Sequence, residues 1–247
     1  MNTFIFIWIA LGIVIFPLLL RVSAPYGRHI RKGWGPLIPN RMGWIIMEMP
    51  ALLVMPLLFF TGSSPKPVVS WVFVGLWLLH YINRTLIFPL RVHTKGKKMP
   101  LAIVVFALFF NVVNGSINGL YFGENAYLYP ETWPTDFRFV AGVGLFVTGL
   151  MINWQSDNIL LRLRKPGETS YKIPRGGLFR YVSCPNHLGE IVEWTGFAVL
   201  TWSFSGFAFA LWTAINLIPR ALDHHKWYLN HFPDYPANRK AVFPFIL

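Results

Sequence analysis

The sequence predicts an all-α, polytopic membrane protein of seven transmembrane helices, with the N-terminus outside and the C-terminus in the cytosol. Three observations carry this. Hydrophobic residues make up 54% of the chain and charged residues only 13%, an apolar surplus larger than one soluble core hides, so lipid is the solvent. Runs long enough to cross a hydrocarbon core, which takes about 20 helical residues, recur along the chain. The basic residues between those runs alternate in number, many and then few.

The first run, Thr3 to Leu20, has no basic segment before it and no small-residue cleavage site ahead of Arg21, so it reads as a retained helix and not a signal peptide. Gly43 to Gly62 and Val68 to Leu90 follow, each holding one charged residue, Glu48 and Arg84 respectively. Pro100 to Gly123 and Phe139 to Gln155 are uncharged. The outer loop joining them, Glu124 to Asp136, carries Glu124, Glu131 and Asp136 among prolines and aromatics, and suits a surface cap or a solvated connection equally. A single final helix from Leu188 to Pro219 would be about 48 Å long, well over a core of roughly 30 Å. A break is therefore expected at Ser203-Phe204-Ser205-Gly206, leaving two short helices.

Between the spans, Lys and Arg number five in Arg21 to Arg41, one at Lys66, four in Arg91 to Lys98, one at Arg138, six in Arg162 to Arg180 and four after Pro219. This is the positive-inside pattern. It accounts for the net charge of +12 through topology, and no nucleic-acid partner is expected. The single cysteine, Cys184, excludes an internal disulfide and a multi-thiolate metal site. His224-His225 has no second ligand pair converging with it in sequence, so no metal is expected. The sequons Asn83-Arg84-Thr85 and Asn114-Gly115-Ser116 fall inside spans, which argues against glycosylation. No repeat or composition shift divides the chain, and residues 1–247 read as one domain.

Polar groups inside a bilayer are costly and face a cavity or a partner, so each one within a span is a functional candidate. Glu48 lies in Trp44-Ile45-Ile46-Met47-Glu48-Met49-Pro50. Where water is excluded, the neutral acid is favoured over the carboxylate and donates a hydrogen bond; the plainer reading is a carboxylate paired with a loop arginine. The segment His80-Tyr81-Ile82-Asn83-Arg84-Thr85 is too polar for a lipid-facing surface, and Tyr81 and Arg84 lie on neighbouring helix faces. Helical rise puts Glu48 and Tyr81 roughly 9 and 15 Å from the basic ends of their helices, so the two can converge in the cytosolic half of the membrane.

A third group runs from Asn153 and Asp157 through Arg162, Arg164 and Lys165 to Arg180, and on to Asn186, Glu190 and Glu193. The last segment adds Arg220, Asp223, His224, His225, Tyr228 and Arg239. A cationic and aromatic rim at the cytosolic face suits a phosphorylated, planar-ringed ligand, because Arg pairs bidentately with phosphate. A positive-inside flank touching anionic lipid explains the charges as well, but not the amides and carboxylates among them. Neither G-x-G-x-x-G nor G-x-x-x-x-G-K-[ST] occurs, so a dinucleotide would bind between helices and not on a Rossmann or P-loop turn.

Lys165-Pro166-Gly167-Glu168-Thr169-Ser170-Tyr171-Lys172-Ile173-Pro174-Arg175-Gly176-Gly177-Leu178-Phe179, with Tyr181-Val182-Ser183 and Asn186-His187-Leu188-Gly189-Glu190-Ile191-Val192-Glu193-Trp194, closely resembles the C-terminal half of steroid 5-alpha-reductases. The tail from Tyr228 to Leu247, with Asp234-Tyr235-Pro236 and Arg239-Lys240-Ala241, is similar to theirs. Glu48 before a proline, and His80-Tyr81 with Arg84-Thr85, extend the resemblance over nearly the whole chain. The resemblance implies a compact, bacterial-type member with a seven-helix fold. NADPH would enter from the cytosol and a 3-oxo-delta-4 steroid, or another lipid enone, from the bilayer. It implies that Glu48 and Tyr81 bind the enone carbonyl, with Arg84 a further substrate contact. Asn153, Asp157, Arg164, Tyr171, Asn186, Glu190, Arg220, His224, Tyr228 and Arg239 would hold the cofactor. Relatives carry a run of histidines where this chain has Asp223-His224-His225, and Cys184-Pro185 is a second local difference. A monomer in a bacterial inner membrane or the endoplasmic reticulum, with its site open to the cytosol, is expected.

Hydride added to the beta carbon of an enone places negative charge on the carbonyl oxygen, which donors such as Glu48 and Tyr81 can stabilise. Two other readings compete. One is different chemistry on the same scaffold, either another membrane sterol or enone reductase or an isoprenylcysteine-type methyltransferase. The other is a transporter, against which the lack of an inverted repeat counts.

Overall fold

The computed structural model describes residues 1–92, 96–163, 168 and 170–247. Nearly all regular structure in them is helical: α1 (Asn2–Leu19), α2 (Asn40–Thr61), α3 (Val68–Ile82), α4 (Phe88–Arg91), α5 (Leu101–Asn125), α6 (Phe137–Arg162), α7 (Pro185–Thr201) and α8 (Phe204–His231). A π-helical turn, Asn83–Ile87, joins α3 to α4. Five stretches, Asn2–Leu19, Asn40–Thr61, Val68–Arg91, Leu101–Leu128 and Phe137–Arg162, are long and apolar enough to cross a membrane. The chain forms two compact units, one of residues 1–5 and 24–140, the other of residues 6–23 and 141–247.

In the first unit, two short strands lie just ahead of α2 and α5. β1 (Leu37–Pro39) pairs antiparallel with β2 (Lys98–Pro100), Ile38 opposite Met99. Leu101 N donates to Pro36 O at 2.8 Å and Asn40 N to Lys97 O at 3.0 Å, so both helices start from one ribbon. They then run parallel, with Asn111 against Met47, Gly119 against Met55 and Gly123 against Leu58. The glycines permit this approach, since a Cβ at Gly119 would lie 2.7 Å from Met55 O. Met47, Met99 and Val104 pack together just above the ribbon.

α3 returns antiparallel to α2. Trp71 meets Phe59 with ring centroids 5.5 Å apart, and the buried Trp77 donates from Nε1 to Ala51 O at 2.8 Å. At the outer end, Ser63 Oγ donates to Glu124 Oε2 at 2.5 Å, and Lys66 Nζ donates to the carbonyl oxygens of Gly62 and Gly123. Tyr129 and Trp133 are buried, their rings 5.2 Å apart, and Arg138 lies 4.5 Å from the Trp133 centroid. The loop Glu124 to Asp136 is thus held by packed aromatic side chains.

In the second unit, α6 and α7 run antiparallel in close contact. Gly142 faces Leu200, Gly196 faces Phe146, Gly149 faces Glu193 and Gly189 faces Asn153. Trp194, Phe146, Phe197 and Phe209 fill the core beside them. α1 is tied to α8 where Trp212 Nε1 donates to Trp8 O at 3.0 Å. The chain breaks between α7 and α8 as expected: Trp202 is left-handed at φ 44°, and Ser203 caps α8 by accepting from Gly206 N. The second helix is not short, however. It passes through Pro219 to His231, 28 residues in all. Proline removes one donor and crowds the preceding turn, but beyond it Ala221 and Tyr228 still have apolar surface to bury, and the helix continues.

Candidate active site

The sequence reading lets an acid and a phenol converge in the cytosolic half of the membrane, and the geometry of the first unit bears on this directly. Ala51 meets Trp77, and Trp44 meets Arg84, whose Cζ lies 5.0 Å from the indole centroid. Between those two contacts lie Glu48 on α2 and Tyr81 on α3, so the antiparallel register sets them level. Tyr81 is buried, its ring 5.0 Å from Trp77 and 4.9 Å from His80. Arg84, inside the π-helical turn, sits over both Trp44 and Phe88. Such turns recur at functional sites because they re-aim side chains within a helix. The guanidinium is thereby held by aromatic faces, one turn of α2 below Glu48.

Glu48 is half-buried, and its Oε2 accepts from Asn111 Nδ2 at 3.1 Å. Asn111 is one of three buried asparagines on α5, with Asn114 and Asn118. The sequence reading gave none of the three a role at the site, meeting Asn114 only as a sequon and the other two as part of an uncharged run. Their spacing of three and then four residues, on one face of a bilayer-length apolar segment, was the signal available. Asn118 Oδ1 and Thr85 Oγ1 are buried without a hydrogen-bond partner among the described residues.

In the second unit, the close approach of α6 and α7 brings Asn153 Nδ2 to 3.0 Å from Asn186 O. Asp157, one turn further along α6, is 5% exposed. Glu190 is half-buried and Glu193 fully buried on α7. Arg220, His224 and Tyr228 recur every four residues along α8, forming a single stripe. His224 lies 5.7 Å, ring to ring, from the buried His187, and Tyr171 lies 5.0 Å from Trp227. Arg164 falls outside the described residues.

The tail is fastened by main-chain bonds, Ser183 N to Lys240 O at 2.8 Å and Lys240 N to Tyr181 O at 2.9 Å. Within this clasp, Ser183 Oγ is 2.7 Å from His225 Nδ1 and 2.6 Å from the Tyr235 hydroxyl. Tyr235 stacks on Tyr228 at 5.1 Å and 10°, and Arg239 Cζ lies 5.1 Å from the Tyr235 centroid. His225 is thus engaged by Ser183, whereas its neighbour His224 faces His187. The sequence reading quoted Ser183 and Tyr235 within longer motifs but gave neither a role, because nothing in their spacing marks them as partners.

Arg239 is 4% exposed, and its Nε and Nη1 have no hydrogen-bond partner among the described residues. A buried guanidinium with two unmatched donors fits an anion such as phosphate. The amides and carboxylates of Asn153, Asn186, Asp157 and Glu190 add the acceptors and donors that sugar hydroxyls and a carboxamide require. A shallow depression of about 280 Å³ is lined by Tyr171, Lys172, Ile173, Arg175, Phe232 and Asp234.

A family model described as 3-oxo-5-alpha-steroid 4-dehydrogenase matches residues 97–247. The chain is 42% identical over 243 residues to 3-oxo-5-alpha-steroid 4-dehydrogenase 1 of Bos taurus, covering 96% of this chain and 93% of the relative. It is 43% identical over 229 residues to steroid 5-alpha-reductase DET2 of Gossypium hirsutum, covering 91% and 89%. The Homo sapiens 3-oxo-5-alpha-steroid 4-dehydrogenase 1 is 41% identical over 239 residues, covering 96% and 92%.

Proposed function

This chain belongs to the 3-oxo-5-alpha-steroid 4-dehydrogenase family, and from that premise we propose how its residues carry out the reaction. It is a multi-pass membrane oxidoreductase that reduces the delta-4 double bond of 3-oxo-delta-4 steroids to give 5-alpha-reduced 3-oxo steroids. The steroid enters from the bilayer, and Glu48 and Tyr81 donate hydrogen bonds to its 3-oxo group, with Arg84 alongside. As hydride reaches the beta carbon, charge accumulates on that oxygen. Each donor that strengthens its bond there is worth about 3 kcal/mol of barrier. A proton delivered to the alpha carbon completes the reduction. The observation that supports this reading is the α2–α3 register, which brings a half-buried acid and a buried phenol to one level.

The cofactor is NADPH, which supplies the hydride when bound. Asn153, Asp157, Arg164, Tyr171, Asn186, Glu190, Arg220, His224, Tyr228 and Arg239 hold it. The unmatched buried donors of Arg239 support a phosphate-bearing ligand, and the α8 stripe supports an aromatic one. The chain acts as one domain, a monomer with seven spans, α7 and α8 being the last two. Its N-terminus lies outside and its cofactor site opens to the cytosol, in a bacterial inner membrane or the endoplasmic reticulum. The alternating basic loops support that orientation.

The test is NADPH oxidation by detergent-purified protein with and without testosterone, with mass analysis of the product. Steroid-dependent oxidation and a gain of two hydrogens is the expected result. Saturable NADPH binding without oxidation would move the substrate to another lipid enone, and no NADPH binding at all would overturn the cofactor assignment.

A further inference from the structure

We propose that Asn111 is the positioning residue for Glu48, fixing the rotation of its carboxyl group. The inference rests on the donor role given to Glu48 above. Asn111 is 5% exposed, and its Nδ2 donates twice, to Met47 O at 2.6 Å and to Glu48 Oε2 at 3.1 Å. An amide nitrogen has two hydrogens, and both are committed. The bond to Met47 O anchors the amide to the backbone of α2, so it cannot follow the Glu48 side chain if that rotates. An oxygen held by an N–H that is itself anchored to the backbone fixes the plane of the carboxyl group.

The register that permits this contact is set at two places. The β1–β2 ribbon starts α2 and α5 side by side, and the glycine contacts further up keep the two backbones close. Asn111 thus meets Glu48 through the fold itself and not through a flexible side chain reaching out.

Asn111→Leu keeps the approximate size and removes both donors. It is expected to lower kcat on the order of tenfold to a hundredfold, the usual cost of a misaligned catalytic group. The KM for testosterone and the Kd for NADPH should stay within about twofold. Asn111→Ser, too short to reach Oε2, should do the same and serves where the leucine variant fails to fold. The readout that a merely structural role would not reproduce is a cycle with Glu48→Gln. In the Glu48→Gln background, which lacks the acid proton, Asn111→Leu should cost no further rate. Wild-type kcat in both Asn111 variants, losses that multiply across the cycle, or a change confined to KM would each overturn the positioning role. Wild-type kcat in Glu48→Gln alone would instead overturn the donor role of Glu48, so the two failures are distinguishable.

Discussion

Asn153 on α6 donates to the main-chain oxygen of Asn186 at the start of α7, at 3.0 Å, and the bond exists because Gly189 lets the two helices touch there. A Cβ at Gly189 would stand 2.5 Å from Asn153 N. Gly189→Ala should therefore push α6 and α7 apart. The expected outcome is a loss of about 1–3 kcal/mol of stability together with weaker NADPH binding, read by thermal unfolding in detergent and by NADPH titration. Unchanged affinity would show that the contact does not shape the cofactor site.

Glu48→Gln keeps the shape of the side chain but removes the acidic proton. Turnover should fall about a hundredfold, matching one lost oxyanion donor, while NADPH affinity stays as it was. Tyr81→Phe should give a loss of similar kind. Steady-state kinetics at saturating NADPH, with a separate binding titration, checks both.

Arg239→Leu should raise the Kd for NADPH roughly tenfold or more, the scale of a charge-assisted hydrogen bond, with kcat at saturating cofactor retained. Arg239→Lys should not rescue it, since an ammonium cannot reproduce the planar fork over Tyr235.

Ser183→Ala, His225→Gln and Tyr235→Phe all break the same buried chain. Each should destabilise the tail by about 1–3 kcal/mol, and pairs of them should cost less than the sum of the singles. Unfolding midpoints of the singles and doubles test this.

Asp136 accepts from Arg138 N, Nε and Nη2 at 2.8–2.9 Å. The Arg138 side chain and then its backbone N–H hold the carboxyl down from its ordinary 3.8 to about 2. The folded value lies below the unfolded one, so the contribution is fully present above the ordinary value and is lost as pH falls through about 2. Melting curves of the wild type and Asp136→Asn should converge across that window; a constant gap would exclude the linkage.

Five apolar helical spans, a break at Ser203 and the polar positions of α2, α3 and α6 were legible in the sequence, because lipid imposes length and punishes every charge. What escaped were features set by contact between distant segments. The β1–β2 ribbon is three residues long on each side, too short to alternate visibly. Asn111 looked like any polar residue in an uncharged run until α5 was laid parallel to α2. The reach of α8 past Pro219 was hidden because a proline in sequence reads as a stop, while the burial of Ala221 and Tyr228 that outweighs it appears only in three dimensions. Ser183 and Tyr235 meet across 52 residues of chain, a separation that no local pattern encodes.

The short ribbon ahead of α2 and α5 also limits which length changes the gene can tolerate. One residue gained between Pro39 and Glu48 would turn the acid about 100° around its helix, away from Asn111, whereas the stretch from Arg21 to Gly35 enters no pairing with β2. Insertions and deletions among homologues should therefore collect before Pro36 and be purged after it, so that a count of gaps along the family would trace the ribbon without any structure at all.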